Sequence, residues 1–160
     1  MTTQPGELSH IRGDGSAHMV DVSQKAVTKR IASAQAIVIT RPEVVAMVSD
    51  GTLPKGEALS TARIAGILAA KQTPTLIPLC HPLPISNVSI DIDPQGDRLR
   101  VVATVATTGV TGVEMEALTA ASITALTLFD MLKAVDHEAM ITDVFVLTKS
   151  GGKSGDWVRS

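Results

Sequence analysis

Val88-Ser89-Ile90-Asp91-Ile92-Asp93 and Leu99-Arg100-Val101-Val102-Ala103-Thr104-Val105-Ala106 alternate at period two, and Pro94-Gln95-Gly96-Asp97 between them supplies turn residues. A period of two sends successive side chains to opposite faces of a sheet, so this stretch predicts a β-hairpin with one face buried. Its flanks decide the fold. Upstream, Gln35 to Thr40 reads as a strand. Pro42 suits the first turn of a short helix through Met47, where a missing N–H costs nothing, and Asp50-Gly51 ends it. Ala58 to Lys71, rich in Ala, Leu and Ile, predicts a long helix closed by Gln72-Thr73-Pro74. Downstream, Ala117 to Leu132 predicts a second long helix and Ile141 to Leu147 a last strand. In order this is strand, helices, two strands, helix, strand. It predicts an α+β fold, a ferredoxin-like split βαββαβ with a four-stranded antiparallel sheet and helices packed on one face.

At 160 residues the chain has the length of one domain with a core that needs neither disulfide nor metal. Residues 1–22 have no periodicity and predict a flexible arm, ending in the denser patch His18-Met19-Val20-Asp21-Val22-Ser23; residues 23–160 form the single α+β domain. A formal charge of -2, two Phe, one Trp and no Tyr argue against a nucleic-acid partner, since there is neither a basic surface nor aromatic faces for bases. The lone Cys80 excludes an internal disulfide and any Cys-rich metal site, and fits a reducing compartment. With no secretory pattern at the start and no apolar run of about 18 residues, no membrane partner is expected, and the protein reads as cytoplasmic.

The helix from Ala117 to Leu132 is apolar at eleven of its sixteen positions. Glu116, Thr119, Ser122, Thr127, Asp130 and Lys133 fall within one sector of about 140°, a narrow polar stripe that is either a solvated face or a site. The helix is too apolar for an ordinary surface element, and the second face of the sheet also wants cover. A homo-oligomer is therefore expected.

Candidate chemistry lies in four places. Asp130 and Lys133, at i and i+3, are either a helical ion pair or, if the lysine is partly buried, an acid/base pair. His81 stands in the stiff segment Pro78-Leu79-Cys80-His81-Pro82-Leu83-Pro84, which cannot be helix. No other histidine shares a ligand spacing with it, so no metal is expected. Lys149-Ser150-Gly151-Gly152-Lys153 resembles a P-loop but lacks the Gly five residues before Gly-Lys, where Leu147 stands. What survives is either a frayed basic terminus or two lysines that clamp a phosphate through glycine-permitted backbone N–H groups. Finally, Glu116 and Asp130 are fourteen residues apart, about 21 Å along a helix. They meet at one small substrate centre only if the ligand is elongated or the helix ends come together across a subunit interface.

These residues resemble a known family. His18 to Ser23, Lys55-Gly56, Thr61-Ala62-Arg63-Ile64-Ala65-Gly66, Pro78 to Pro82, Gly109 to Ser122 and Lys149 to Asp156 are similar to the cyclic pyranopterin monophosphate synthase family, the molybdenum cofactor biosynthesis protein C. The likeness runs from about His10 to Asp156. It implies an enzyme that takes a cyclised dihydro-GTP, the product of a radical SAM GTP cyclase, to cyclic pyranopterin monophosphate with release of pyrophosphate. It implies no resident cofactor, and a homohexamer, a trimer of dimers, with its site at a subunit interface. The catalytic residues it implies are Asp130, Lys133 and Lys55; the substrate-binding residues are Leu79, Cys80, His81, Glu114, Met115, Glu116, Arg30, Lys149 and Lys153. An alternative from another class is a non-catalytic oligomeric sensor of a phosphorylated nucleotide, which has no use for a poised acid/base pair. A scaffold without ligand leaves the lysine-glycine tail unexplained.

Overall fold

The computed structural model describes residues 13–153 and 155–160. Residues 1–12 of the expected arm lie outside the described residues. The elements are β1 (Thr28–Ile39), α1 (Pro42–Asp50), α2 (Ala58–Leu76), β2 (Ile85–Gln95), β3 (Arg98–Gly109), α3 (Glu114–Leu132), β4 (Met140–Ser150) and β5 (Trp157–Val158). The strands form one antiparallel sheet in the order β2-β3-β1-β4-β5. The first four strands thus take the split βαββαβ arrangement read from the sequence. The addition is β5, a two-residue strand too short to leave a periodic signal.

Alternation along β1 builds the core. Ala32, Ala34, Ala36 and Val38 are fully buried under the helices, alongside Leu99, Val101, Ala103 and Val105 of β3. From above, α3 contributes Ala117, Ala120, Ala121, Ala125, Leu128 and Leu132. Small side chains let α2 and α3 lie close to the sheet and to each other. The closest approach is at Gly66 of α2, where an added Cβ would run into Thr124 Oγ1 of α3 and the Ile90 side chain. The sheet's other face carries a hydrogen-bonded polar row rather than bare hydrocarbon: Ser33 Oγ lies 2.8 Å from Thr104 Oγ1, and Arg100 Nε and NH2 donate to Gln35 Oε1 at 3.2 and 3.1 Å.

Four expectations need correction. Helix α2 does not close at Gln72-Thr73-Pro74 but runs to Leu76. Pro74 has no N–H for the Ala70 carbonyl, yet Thr73 Oγ1 donates to that carbonyl at 3.0 Å, so the break is satisfied locally. Strand β1 starts at Thr28 rather than Gln35, because pairing with β3 carries Lys29 and Arg30 into the sheet despite their charge, and β4 joins on the other side only from Ile31. The hairpin turn is two residues, Gly96-Asp97, tighter than the four expected; Pro94 belongs to β2, an edge strand where a missing donor is tolerated. Lastly, α3 is by length and hydropathy apolar enough to cross a membrane, contrary to the sequence reading. Its burial beneath α2 and on the sheet accounts for that apolarity.

Candidate active site

The N-terminal end of α3 opens onto two adjoining pockets. The larger, of about 1000 Å³, is walled by Arg30 from β1, Glu114 from α3, and Lys149, Gly151, Gly152 and Lys153 from the end of β4 and the loop after it. The smaller, of about 280 Å³, is walled by Leu79, Cys80 and His81 from the segment after α2 and by Glu114, Met115 and Glu116. All nine substrate-binding residues expected from the sequence line one pocket or the other. Glu114 lines both, as do Lys25, Thr111 and Gly112.

The larger pocket suits a polyanion. Gly152 at φ 78° lets the chain pass against the Arg30 guanidinium, where a Cβ would collide with it. Arg30 NH2 donates to Val110 O at 3.2 Å, while Arg30 Nε and Thr28 Oγ1 are buried without a hydrogen-bond partner among the described residues. Buried donors left unpaired are costly, and an anionic oxygen in the pocket would relieve that cost. Lys149 Nζ sits 3.4 Å from Glu114 Oε1, so this carboxylate holds one cation in place before any ligand arrives.

The smaller pocket brings an imidazole and two carboxylates together. His81 Nε2 lies 2.9 Å from Val20 O, which ties the end of the expected arm to the proline segment. The ring reaches the carbonyl as a donor, which leaves Nδ1 as the acceptor in the neutral form. Glu116 is 3 % exposed, and this burial, with the nearby Glu114 charge, raises its pKa above the ordinary 4.5. Burial and the Glu116 charge likewise raise the Cys80 thiol, so Cys80 is not an activated nucleophile here.

The other three expected residues meet at the opposite end of α3. Asp130 Oδ1 lies 2.8 Å from Lys133 Nζ, and Asp130 Oδ2 lies 2.8 Å from Lys55 Nζ, which also donates to the Asp130 carbonyl at 2.7 Å. Lys55 arrives on the loop between α1 and α2; Lys133 is the residue that caps α3. Hydrogen bonds from Lys133 and then Lys55 lower the Asp130 pKa to about 2. The carboxylate is therefore ionised at neutral pH and holds two ammonium groups side by side. The Lys133 side chain is 51 % exposed and that of Asp130 53 %, so both are half-buried in the single chain. A few residues on, the buried Asp136 carboxylate pins this end to the start of α1. It accepts from Thr40 Oγ1 at 2.6 Å, Arg41 N at 3.2 Å and Glu138 N at 3.1 Å.

The structure thus gathers the candidates into two groups at opposite ends of one helix, about 20 Å apart. The sequence reading missed Lys25 and Thr111, which border both pockets. Lys25 follows the His18 to Ser23 patch and, with Lys29 and Arg30, makes a short basic run, the one signal that points to it.

The family model described as the MoaC family matches residues 19–152. The chain belongs to this family. It is similar to the cyclic pyranopterin monophosphate synthases of Corynebacterium efficiens, 58 % identical over 151 residues covering 94 % of this chain and 97 % of that protein, and of Nocardioides sp., 56 % identical over 162 residues covering 99 % of each. The synthase of Streptomyces avermitilis is 58 % identical over 153 residues, covering 96 % of this chain and 90 % of that protein. The matched span includes every expected site residue except Lys153.

Proposed function

We propose that this protein is a cyclic pyranopterin monophosphate synthase of molybdenum cofactor biosynthesis, a phosphorus-oxygen lyase that acts on the cyclised dihydro-GTP supplied by a radical SAM GTP cyclase. The observation that carries the reading is the pairing of a cation-lined pocket with an adjoining carboxylate and imidazole pocket, in a chain whose near-full-length relatives bear that name. Arg30, Lys149 and Lys153 hold the triphosphate and stabilise the charge that develops on departing pyrophosphate as a sugar hydroxyl oxygen bonds to the innermost phosphorus. His81, Glu114 and Glu116 hold the base-derived ring and sugar, with Leu79, Cys80 and Met115 forming the wall.

Lys133 and Lys55 are the proton donors for ring opening and reclosure, and Asp130 holds both ammonium groups in place. Asp130 itself, with its pKa at about 2, is a weak base and is an anchor in this arrangement. Because Asp130 and Glu116 lie about 21 Å apart on one helix, the complete site takes its two halves from different subunits. Exposed Ile64 and Leu68 on α2 and Leu126 on α3 supply apolar surface for such an interface, in a homohexamer located in the cytoplasm. The ligand-sensor reading is not favoured, since it gives the Asp130, Lys55 and Lys133 cluster nothing to do.

The deciding experiment supplies purified protein with the cyclised dihydro-GTP and follows pyrophosphate and pyranopterin together. Equal release of both is expected. Tight binding with the ligand recovered unchanged would overturn the synthase reading.

A further inference from the structure

The glycine-rich run after β4 is closed into a hairpin by the last residues of the chain. Lys149 stands in register opposite Trp157, and Thr148 opposite Val158. Beyond them the Arg159 N–H donates to Leu147 O at 2.8 Å. Inside the hairpin the Gly151 N–H donates to Asp156 Oδ1 at 3.3 Å, and the Gly155 N–H to Gly152 O at 3.3 Å. The Arg159 side chain adds a lock: Nε donates to Val146 O at 2.8 Å, and the guanidinium lies 4.6 Å from the centre of the Phe145 ring and 5.5 Å from that of Trp157. Neither Trp157 nor Arg159 lines the large pocket. What the hairpin carries does line it: Lys149, Gly151, Gly152 and Lys153.

We propose that Trp157 and Arg159 are positioning residues, a clasp that fixes Lys149 and Lys153 in place for the polyphosphate end of the substrate. The inference rests on the reading of the large pocket as a polyphosphate site, and it assigns a task to a segment that the reaction itself does not use. A two-residue edge strand is marginal on its own, so side-chain contacts decide whether this hairpin stays closed. A guanidinium over aromatic faces suits that work, because the attraction persists in water. With the clasp closed, the loop conformation is settled before the anion arrives, and binding does not bear the cost of ordering the loop and its lysines. With it open, the same lysines remain but must be ordered by the ligand.

The test uses the full-length protein, inorganic pyrophosphate as the probe in titration calorimetry, and the Arg159→Ala variant. Loss of the ring contacts is expected to weaken pyrophosphate binding about fivefold and to raise KM by a similar factor with kcat unchanged. Without ligand, trypsin should cleave after Lys153 faster in the variant, read by mass spectrometry, and Arg159→Lys should recover most of the binding and protection. Unchanged Kd and unchanged cleavage would overturn the clasp, as would a fall in kcat at constant KM. If the unsubstituted protein itself bound no pyrophosphate, the polyphosphate reading of the pocket would fall instead, and the ligand-free cleavage rates would still decide whether Arg159 closes the loop. Should Arg159→Ala lower the melting temperature, Trp157→Leu removes one ring while keeping the strand pairing; the same assays and outcomes then decide.

Discussion

Glu116 and Asp130 sit near opposite ends of α3, and their carboxyls shift in opposite directions. The helix dipole alone would favour the charged form at the N-terminal end and disfavour it at the C-terminal end. The observed order is the reverse: Glu116, in the first turn, is raised, while Asp130, in the last, is lowered to about 2. Burial behind Cys80 and His81 dominates at the first end, and two ammonium groups in hydrogen-bond contact dominate at the second. The two ends also differ in shape. One is concave and assembled from β1, β4, α3 and the segment after α2, so it can bind a ligand within a single chain. The other is an open ion cluster that needs another surface above it to exclude water. Binding and chemistry should therefore separate by mutation.

The largest expected separation is at the C-terminal end. Lys133→Ala should lower turnover by about 10²- to 10⁴-fold, the worth of a positioned proton donor, with pyrophosphate affinity within twofold of normal. Near-normal turnover in this variant would remove the central assignment. At the other end, Lys153→Ala should weaken triphosphate binding by about tenfold, as expected for the loss of one charge-assisted contact, and should lower kcat far less than Lys133→Ala does. A fall confined to kcat would break the division of labour between the ends.

A substitution midway should disturb both ends together. Gly66→Val places a side chain against Thr124 and Ile90 and should destabilise the fold by about 1 to 3 kcal/mol in chemical denaturation, with binding and turnover falling in parallel. The smallest effect is on acid stability, and its sign differs between the two carboxyls. Asp130 has a depressed pKa in the fold, so its contribution is present above the ordinary 3.8 and is lost as pH falls from 3.8 towards 2. Glu116 has a raised pKa, so it favours the fold most below 4.5, when protonated, and less as pH rises through its folded pKa. Carboxyl-carbon NMR should show the two midpoints on opposite sides of the ordinary range. Glu116→Gln, which removes a buried charge, should raise the melting temperature at pH 7 by a few degrees. A lower melting temperature would mean that Glu116 is held by partners rather than merely buried.

Much of this was legible in the chain. Period-two alternation in β2 and β3, and the apolar run of α3, require burial on one side whatever the neighbours are, so element types and their order could be read directly. Boundaries were less legible because they depend on partners. The helical break expected at Pro74 is repaired by the hydroxyl of Thr73, and the charged start of β1 is held by pairing with β3. Of the site, the residue types were readable because Lys, Asp and His in apolar or stiff surroundings are chemically conspicuous. Thr111 was not, since nothing near it marks a pocket wall, and Lys25 was signalled only by the short basic run it makes with Lys29 and Arg30.

By itself the sequence determined the split βαββαβ order and the family, because periodicity and motif are local properties of the chain. Helix rise alone also set the distance that keeps Glu116 and Asp130 apart. Only the tertiary structure decided which groups meet. Lys55 is 75 residues from Asp130 along the chain yet in hydrogen-bond contact with it, Arg30 lies against Gly152, and Trp157 stands opposite Lys149. Tertiary structure also decided the direction in which each carboxyl titrates. The reason is physical: burial and contact across the fold act over a few ångströms in space, and distance along the chain does not fix distance in space.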